Sequence, residues 1–224
     1  MRRTDRFLWV SAATTASSIL CFVAVRADTP QGWTNNGNID HTTITQSVAG
    51  DIHVYGKIDG GSNVNLTSTN GSITIDGKID GASRVILYAP NGDIHIGLVG
   101  AEGDKKIDGS SIVSAFSGGT ITLGNKIDGG GAVGHVDEPT RVFFRAKNGI
   151  DIGDKIDGGV SVDLCTASGQ IHVRDKIDNS NTRVWYWPQG ALVADSGIQG
   201  GQVNPDQKRA CQGPGIAGFP TYPL

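Results

Sequence analysis

The sequence contains no segment with a convincing helical period, and that absence excludes a βαβ fold. It also lacks a surplus of charge: the 224 residues carry a net charge of −3, which leaves no basic excess for a nucleic-acid ligand. Glycine is plentiful at 33 residues but never falls into a strict Gly-X-Y period, so collagen is excluded too. Mixed with Asn, Asp, Ser and Thr, those glycines imply many turns. No Ser-His-Asp or Cys-His arrangement that could activate a nucleophile is recognisable. Cysteine is scarce, with three residues, one of them Cys21 near the N-terminus.

Residues 1–27 differ from the rest. MRRTDR supplies positive charge, FLWVSAATTASSILCFVAV supplies a mostly apolar run, and the segment ends on Ala27. This is the pattern of a secretory signal peptide cut before Asp28. Because residues 7–25 are long enough to span a bilayer, a retained single-pass anchor is the alternative, and only in that form is contact with a membrane expected. Export leaves Cys165 and Cys211, most simply a disulfide pair in an oxidising compartment, with two unpaired thiols as the other possibility. The location that follows is secreted, periplasmic or cell-surface.

What the chain has in quantity is one word. KIDGG or a close variant begins at Lys57, Lys78, Lys106, Lys126, Lys155 and Lys176, at spacings of 21, 28, 20, 29 and 21 residues, and a degenerate copy begins at Asn38. A fixed period with two insertions is the signature of a stacked repeat array. Each unit holds three short runs of period-two alternation, the pattern of strands. In the unit KIDGGSNVNLTSTNGSITIDG, Ile58 centres the first run, Val64 and Leu66 mark the second, and Ile73 and Ile75 mark the third. Three strands and three tight turns per unit predict an all-β fold: a single-stranded parallel β-helix of about seven coils, one 21-residue unit per coil, with about 4.8 Å between coils. Right-handed winding is the default for parallel crossovers. The expected organisation is a signal peptide over 1–27, an N-terminal cap with Trp33 over 28–37, the repeat domain over 38–197 and a Gly/Pro-rich tail over 198–224.

The third strands read GSITI, GDIHI, GTITL and GQIHV. In this G-x-I-x-I pattern after a polar turn the repeat region resembles bacterial parallel β-helix proteins of the adhesin-like, surface-exposed kind. The resemblance is one of architecture, and it implies an extracellular or envelope-associated structural or binding role without assigned catalytic residues.

In Lys-Ile-Asp the inward isoleucine places lysine and aspartate outward, so stacked coils form adjacent columns of opposite charge. Their expected role is to penalise register slips. The functional alternative is calcium binding by Asp59, Asp80, Asp108, Asp128, Asp157 and Asp178, but the nonapeptide spacing of calcium β-rolls is absent. No metal site and no cofactor is expected. His53, His95 and His172 share an outward column with Thr74, Thr122 and Asp151, which reads as a solvated face interrupted too often for a regular ice-binding threonine array. His172 is expected to meet Asp151.

An enzyme on such a scaffold needs a local, asymmetric group of acids or bases. The best candidate is the loop GGAVGHVDEPT, with His135, Asp137 and Glu138, which keeps a polysaccharide lyase or hydrolase open as the alternative to a non-catalytic surface, adhesive or structural module. The second strand is more informative. Its outward positions include Ile86, Tyr88, Phe116, Phe143, Trp185 and Trp187, more apolar surface than a bare sheet face carries. Tyr88, Phe116, Phe143, Trp185 and Trp187 are therefore the candidate binding residues, suited to a surface glycan, a carbohydrate ligand or a partner protein. The competing expectation is cover by the chain's own tail, through Ile216, Phe219, Tyr222 and Leu224, drawn in by a Cys165–Cys211 disulfide. Trp185 to Pro188, where the repeat degrades, are also read as a possible cap.

Overall fold

Alternation that turns mostly Ile, Val and Leu side chains inward makes the runs of each unit extended, and they stack into three parallel faces. The computed structural model describes residues 31–97, 107–129 and 140–212. The signal-peptide segment, Lys106, the His135, Asp137 and Glu138 group and the tail residues Ile216 to Leu224 lie outside them.

The long face is an eight-stranded sheet running from Thr43–Val48 to Gln202–Pro205, with six-residue strands through most of its length. The short face is a second eight-stranded sheet from Trp33–Asn35 to Leu192–Ala194. The third face carries the Lys-Ile-Asp words, as two-stranded and four-stranded sheets joined by single bridges at Ile79 and Ile107. Seven coils, each starting at an isoleucine from Ile39 to Ile177, make the parallel β-helix that the repeat predicts.

The core is a set of stacked columns. Ile39, Ile58, Ile79, Ile107, Ile127, Ile156 and Ile177 line one face, Val64, Val85, Val113, Val142, Val162 and Val184 another, and Ile52, Ile73, Ile94, Ile121, Ile150 and Ile171 the third, all essentially inaccessible. The two insertions leave this register intact: Arg84 pairs with Ile112 and Ile112 with Arg141. Pairing also runs past the expected limits of the repeat. Trp33, expected in a cap, lies in a strand that pairs with Ile52–Val54, and Gly197–Gln199 and Gln202–Pro205 continue two sheets beyond residue 197. Trp185 to Trp187, read as a possible cap, belong to a regular strand in register on both sides, with Tyr186 against the core. A helix, α1 (Gln207–Gln212), follows; among the described residues no helix is long and apolar enough to cross a membrane.

The Lys-Ile-Asp-Gly corner shows why that word is constant. Asp59, Asp80, Asp157 and Asp178 each use both oxygens locally. Oδ1 of Asp59, Asp80, Asp108 and Asp157 accepts the N–H of the following glycine at 2.6–2.7 Å, and Asp178 does the same with Asn179. Oδ2 pairs with the lysine two residues earlier in Lys57–Asp59 and Lys78–Asp80, and at 2.8, 2.6 and 2.8 Å in Lys126–Asp128, Lys155–Asp157 and Lys176–Asp178. The pairs thus lie within a coil rather than between coils. The lysine hydrogen bond and then the Gly60 N–H hold the Asp59 carboxyl below the usual carboxylate range. Its stabilisation is accordingly present at neutral pH and lost as pH falls through the lowered value.

The glycine is required for a separate reason. Gly60 and Gly81 adopt φ of +64°, and a Cβ on Gly81 would run into Oδ1 of Asp59 and come within 2.6 Å of the Gly60 nitrogen. The next turn residue is less constrained. Ala82 and Ser110 occupy it with φ of 59° and 62°, and a Cβ on Gly61 would meet nothing closer than 3.8 Å.

Gly81→Ala and Gly61→Ala therefore separate coil stacking from backbone preference. Gly61→Ala should cost about 1 kcal/mol, the left-handed penalty alone, and Gly81→Ala clearly more, because the neighbouring coil must shift as well. Denaturant unfolding of the two variants measures the difference.

Candidate functional site on the long face

Outward side chains of the long face form three rows, because successive strands pair residue for residue. One row is Ile86, Ser114, Phe143, Asp163, Trp185 and Asn204; the next is Thr67, Tyr88, Phe116, Arg145, Cys165 and Trp187; the third is Arg84, Ile112, Arg141, Ser161, Arg183 and Gln202. The first two rows hold all five candidate binding aromatics.

The structure divides those five. Phe116 and Phe143 are buried, 8% and 6% exposed, so these two present little surface to a ligand. Tyr88 is half-buried with its ring centroid 5.3 Å from that of Phe116, so these two rings pack on each other along the row. Trp185 and Trp187 are half-buried at the C-terminal end. Arg145, between Phe116 and Cys165, is also buried, and burial pushes its guanidinium pKa down.

The Cys165–Cys211 disulfide is formed, with Cα atoms 5.2 Å apart. It ties α1 onto the strands Ser161–Thr166 and Arg183–Trp187, so this part of the face is covered by the chain itself. On this short helix the Arg209 side chain reaches three residues, one of them Ser161, whose Oγ accepts from its Nη2 at 3.4 Å. Its guanidinium carbon sits 4.5 Å from the Trp185 ring centroid, and its Nε donates to Oδ1 of Asp163 at 2.9 Å. The tail residues expected to supply the cover lie outside the described residues. The cover seen among the described residues is polar: an arginine over a tryptophan, held by a buried carboxylate.

Sequence reasoning passed over that carboxylate. Asp163 is inaccessible to solvent, and its Oδ2 has no hydrogen-bond partner among the described residues. Burial pushes its pKa up to about 6, against the opposing pull of Arg209. The available signal was an acidic residue in a row of aromatics, together with an arginine two residues before Cys211.

The histidine column of the short face is arranged as its register requires. His172 Nε2 lies 2.8 Å from Asp195 and its Nδ1 lies 3.9 Å from Asp151, the expected neighbour. Asp151 is held more firmly by Arg174, at 2.6–3.2 Å through two nitrogens. His53 Nε2 meets Asp76 at 3.0 Å and stacks on Tyr55. These are separate surface pairs. Among the described residues no three His, Cys, Asp or Glu side chains converge as a metal-binding group.

Beside α1 the third row opens into a groove of about 650 Å³, lined by Arg141, Gly159, Val160, Ser161, Asn181, Arg183, Trp185 and Arg209. Arg141 and Arg183 are exposed, and among the described residues neither forms an ion pair.

A carboxyl whose pKa is raised on folding stabilises the folded form in its protonated state. For Asp163 this contribution is complete below 3.8 and is lost as pH rises through about 6. The stability of the wild type relative to Asp163→Asn should therefore fall by on the order of 2 to 3 kcal/mol between about pH 4 and about pH 7.5, read from unfolding curves at each pH. Reduction of the disulfide, or Cys211→Ser, should lower stability by about 2 to 4 kcal/mol and shift Trp185 emission to the red as α1 leaves its indole.

No family model matches the chain, and neither a curated protein nor a solved structure matches it.

Proposed function

We propose that the chain is an exported, non-catalytic β-solenoid that serves as a surface, adhesive or structural module, secreted, periplasmic or cell-surface in location, whose partners are a surface glycan or protein. The observation that carries this reading is how the polar groups of the coil are used. On the Lys-Ile-Asp face, Asp59, Asp80, Asp108, Asp157 and Asp178 accept their own corner N–H, and Asp59, Asp80, Asp128, Asp157 and Asp178 take the lysine of their own coil. Acids and bases repeated evenly and neutralised in pairs suit stacking. General acid–base chemistry needs neighbouring groups held in different protonation states. The disulfide supports an oxidising compartment.

The catalytic alternative, a polysaccharide lyase or hydrolase, keeps His135, Asp137 and Glu138 as its residues. The reading is tested by fractionating cells that express the full chain, by measuring the mass of the exported product, and by assaying that product on a broad polysaccharide panel. The expected outcome is a non-cytoplasmic chain that begins at Asp28 and turns over none of the panel. Turnover that disappears when His135, Asp137 and Glu138 are replaced by alanine would overturn it.

A further inference from the structure

We infer that the third row of the long face is a binding site for an acidic polysaccharide carrying one anionic group per disaccharide. Along this row Arg84 pairs with Ile112, Ile112 with Arg141, Arg141 with Ser161, and Ser161 with Arg183. Arginine thus recurs at every second coil. Coils stacked at about 4.8 Å place successive guanidinium stems about 9.6 Å apart. That is about the length of two linked pyranose units.

Three observations favour an anionic ligand here. Arg84, Arg141 and Arg183 are all exposed, and among the described residues none of the three is in an ion pair, whereas five lysines of the Lys-Ile-Asp face are each paired with the aspartate of their own coil. Guanidinium recognises carboxylate and sulfate through two parallel N–H donors, which a lysine column would not do. At its C-terminal end the row enters the groove of about 650 Å³, which holds the guanidinium groups of Arg141 and Arg183 beside that of Arg209, itself already paired with Asp163. That volume lies within the range usual for small-ligand sites.

The groups between the arginines suit sugar rings. Ile112, half-buried, offers an apolar step between Arg84 and Arg141, while Ser161 and Asn181 offer hydroxyl and amide groups to sugar hydroxyls. Trp185 supplies an aromatic wall, held in place by Arg209.

Charge spacing decides against nucleic acid. Its phosphates recur about every 3.4 Å along each strand, so a single row with cations about 9.6 Å apart would leave roughly two phosphates in three facing a chain of net charge −3 unneutralised. The inference rests on the proposed surface role only in that such a polymer is met outside the cytoplasm. Binding by the purified chain is independent of export, so failure of one does not mimic failure of the other.

The test uses the purified full chain with hyaluronate, which has one carboxylate per disaccharide, as the probe. Dextran, single-stranded DNA and phosphatidylglycerol vesicles at equal charge concentration serve as comparators. The expected result is salt-sensitive retention of hyaluronate and none of dextran. Arg141→Gln and Arg183→Gln should each weaken binding about tenfold, and Arg84→Gln should weaken it independently of the groove. Lys57→Gln combined with Asp59→Asn, on another face, should leave it unchanged. Circular dichroism of each variant confirms that the fold is retained. Absence of hyaluronate binding, equal binding by the doubly substituted Arg141→Gln and Arg183→Gln chain, or tighter binding of DNA or vesicles would overturn the inference.

Discussion

The whole stack depends on how closely one coil can pass another at the Asp-Gly corner. Parallel strands fix the separation at about 4.8 Å, and the turn after each Lys-Ile-Asp strand must reverse within that height. The aspartate carboxylate of one coil fills the space that a Cβ on the next coil's glycine would need, so Asp59 lies against Gly81 and Asp80 against Gly109. Glycine at this position does two things at once: it adopts positive φ and it leaves room for the carboxylate above or below. The same carboxylate accepts the glycine N–H of its own coil and the ammonium of its own lysine. One corner therefore joins turn geometry, stacking distance and charge neutrality, which is why the five-residue word varies so little.

Because the corners and the inward columns specify the stack, the outward positions are released to do other things, and they do so unevenly. The Lys-Ile-Asp face is self-neutralised. The short face carries isolated histidine and aspartate pairs and the Asp151–Arg174 bridge. The long face is partly closed by α1, and the closure is unusual in being held by an ionisable group that burial disfavours. Asp163 sits at zero exposure with one oxygen on Arg209, and the Coulomb gain from that partner does not fully offset desolvation. The disulfide compensates by keeping α1 near the face whatever the state of the carboxyl.

Much of the fold was legible in advance. Val64, Leu66, Ile73 and Ile75 announce their inward orientation by alternation, and the later units repeat it, so an error in one unit would conflict with its neighbours. Cys165 and Cys211 were legible by elimination. Less was legible where the repeat ends, since Gly197–Gln199 and Gln202–Pro205 pair in parallel without the Lys-Ile-Asp word to mark them. The aromatic row misled in part: side chains that alternate outward are not thereby exposed, and Phe116 and Phe143 are buried although their positions face away from the core. Arg209 could not be assigned to Asp163 from sequence, because the pair spans 46 residues and depends on where a six-residue helix docks.

By itself the sequence determined the coil: its length, its three strands, its inward columns and its glycine corner, because each follows from local alternation and turn chemistry repeated until only one register satisfies all units. Only the tertiary structure decided which outward residues are free. Residues from different coils become neighbours through register alone, so arginines that are 57 and 42 residues apart in the chain align into one row, while Phe116 and Phe143 on the adjacent rows are buried. The physical reason is that outward positions have no pattern of their own to obey. Their surroundings are set by what stacks beside them and what folds over them, and neither is encoded within a single repeat.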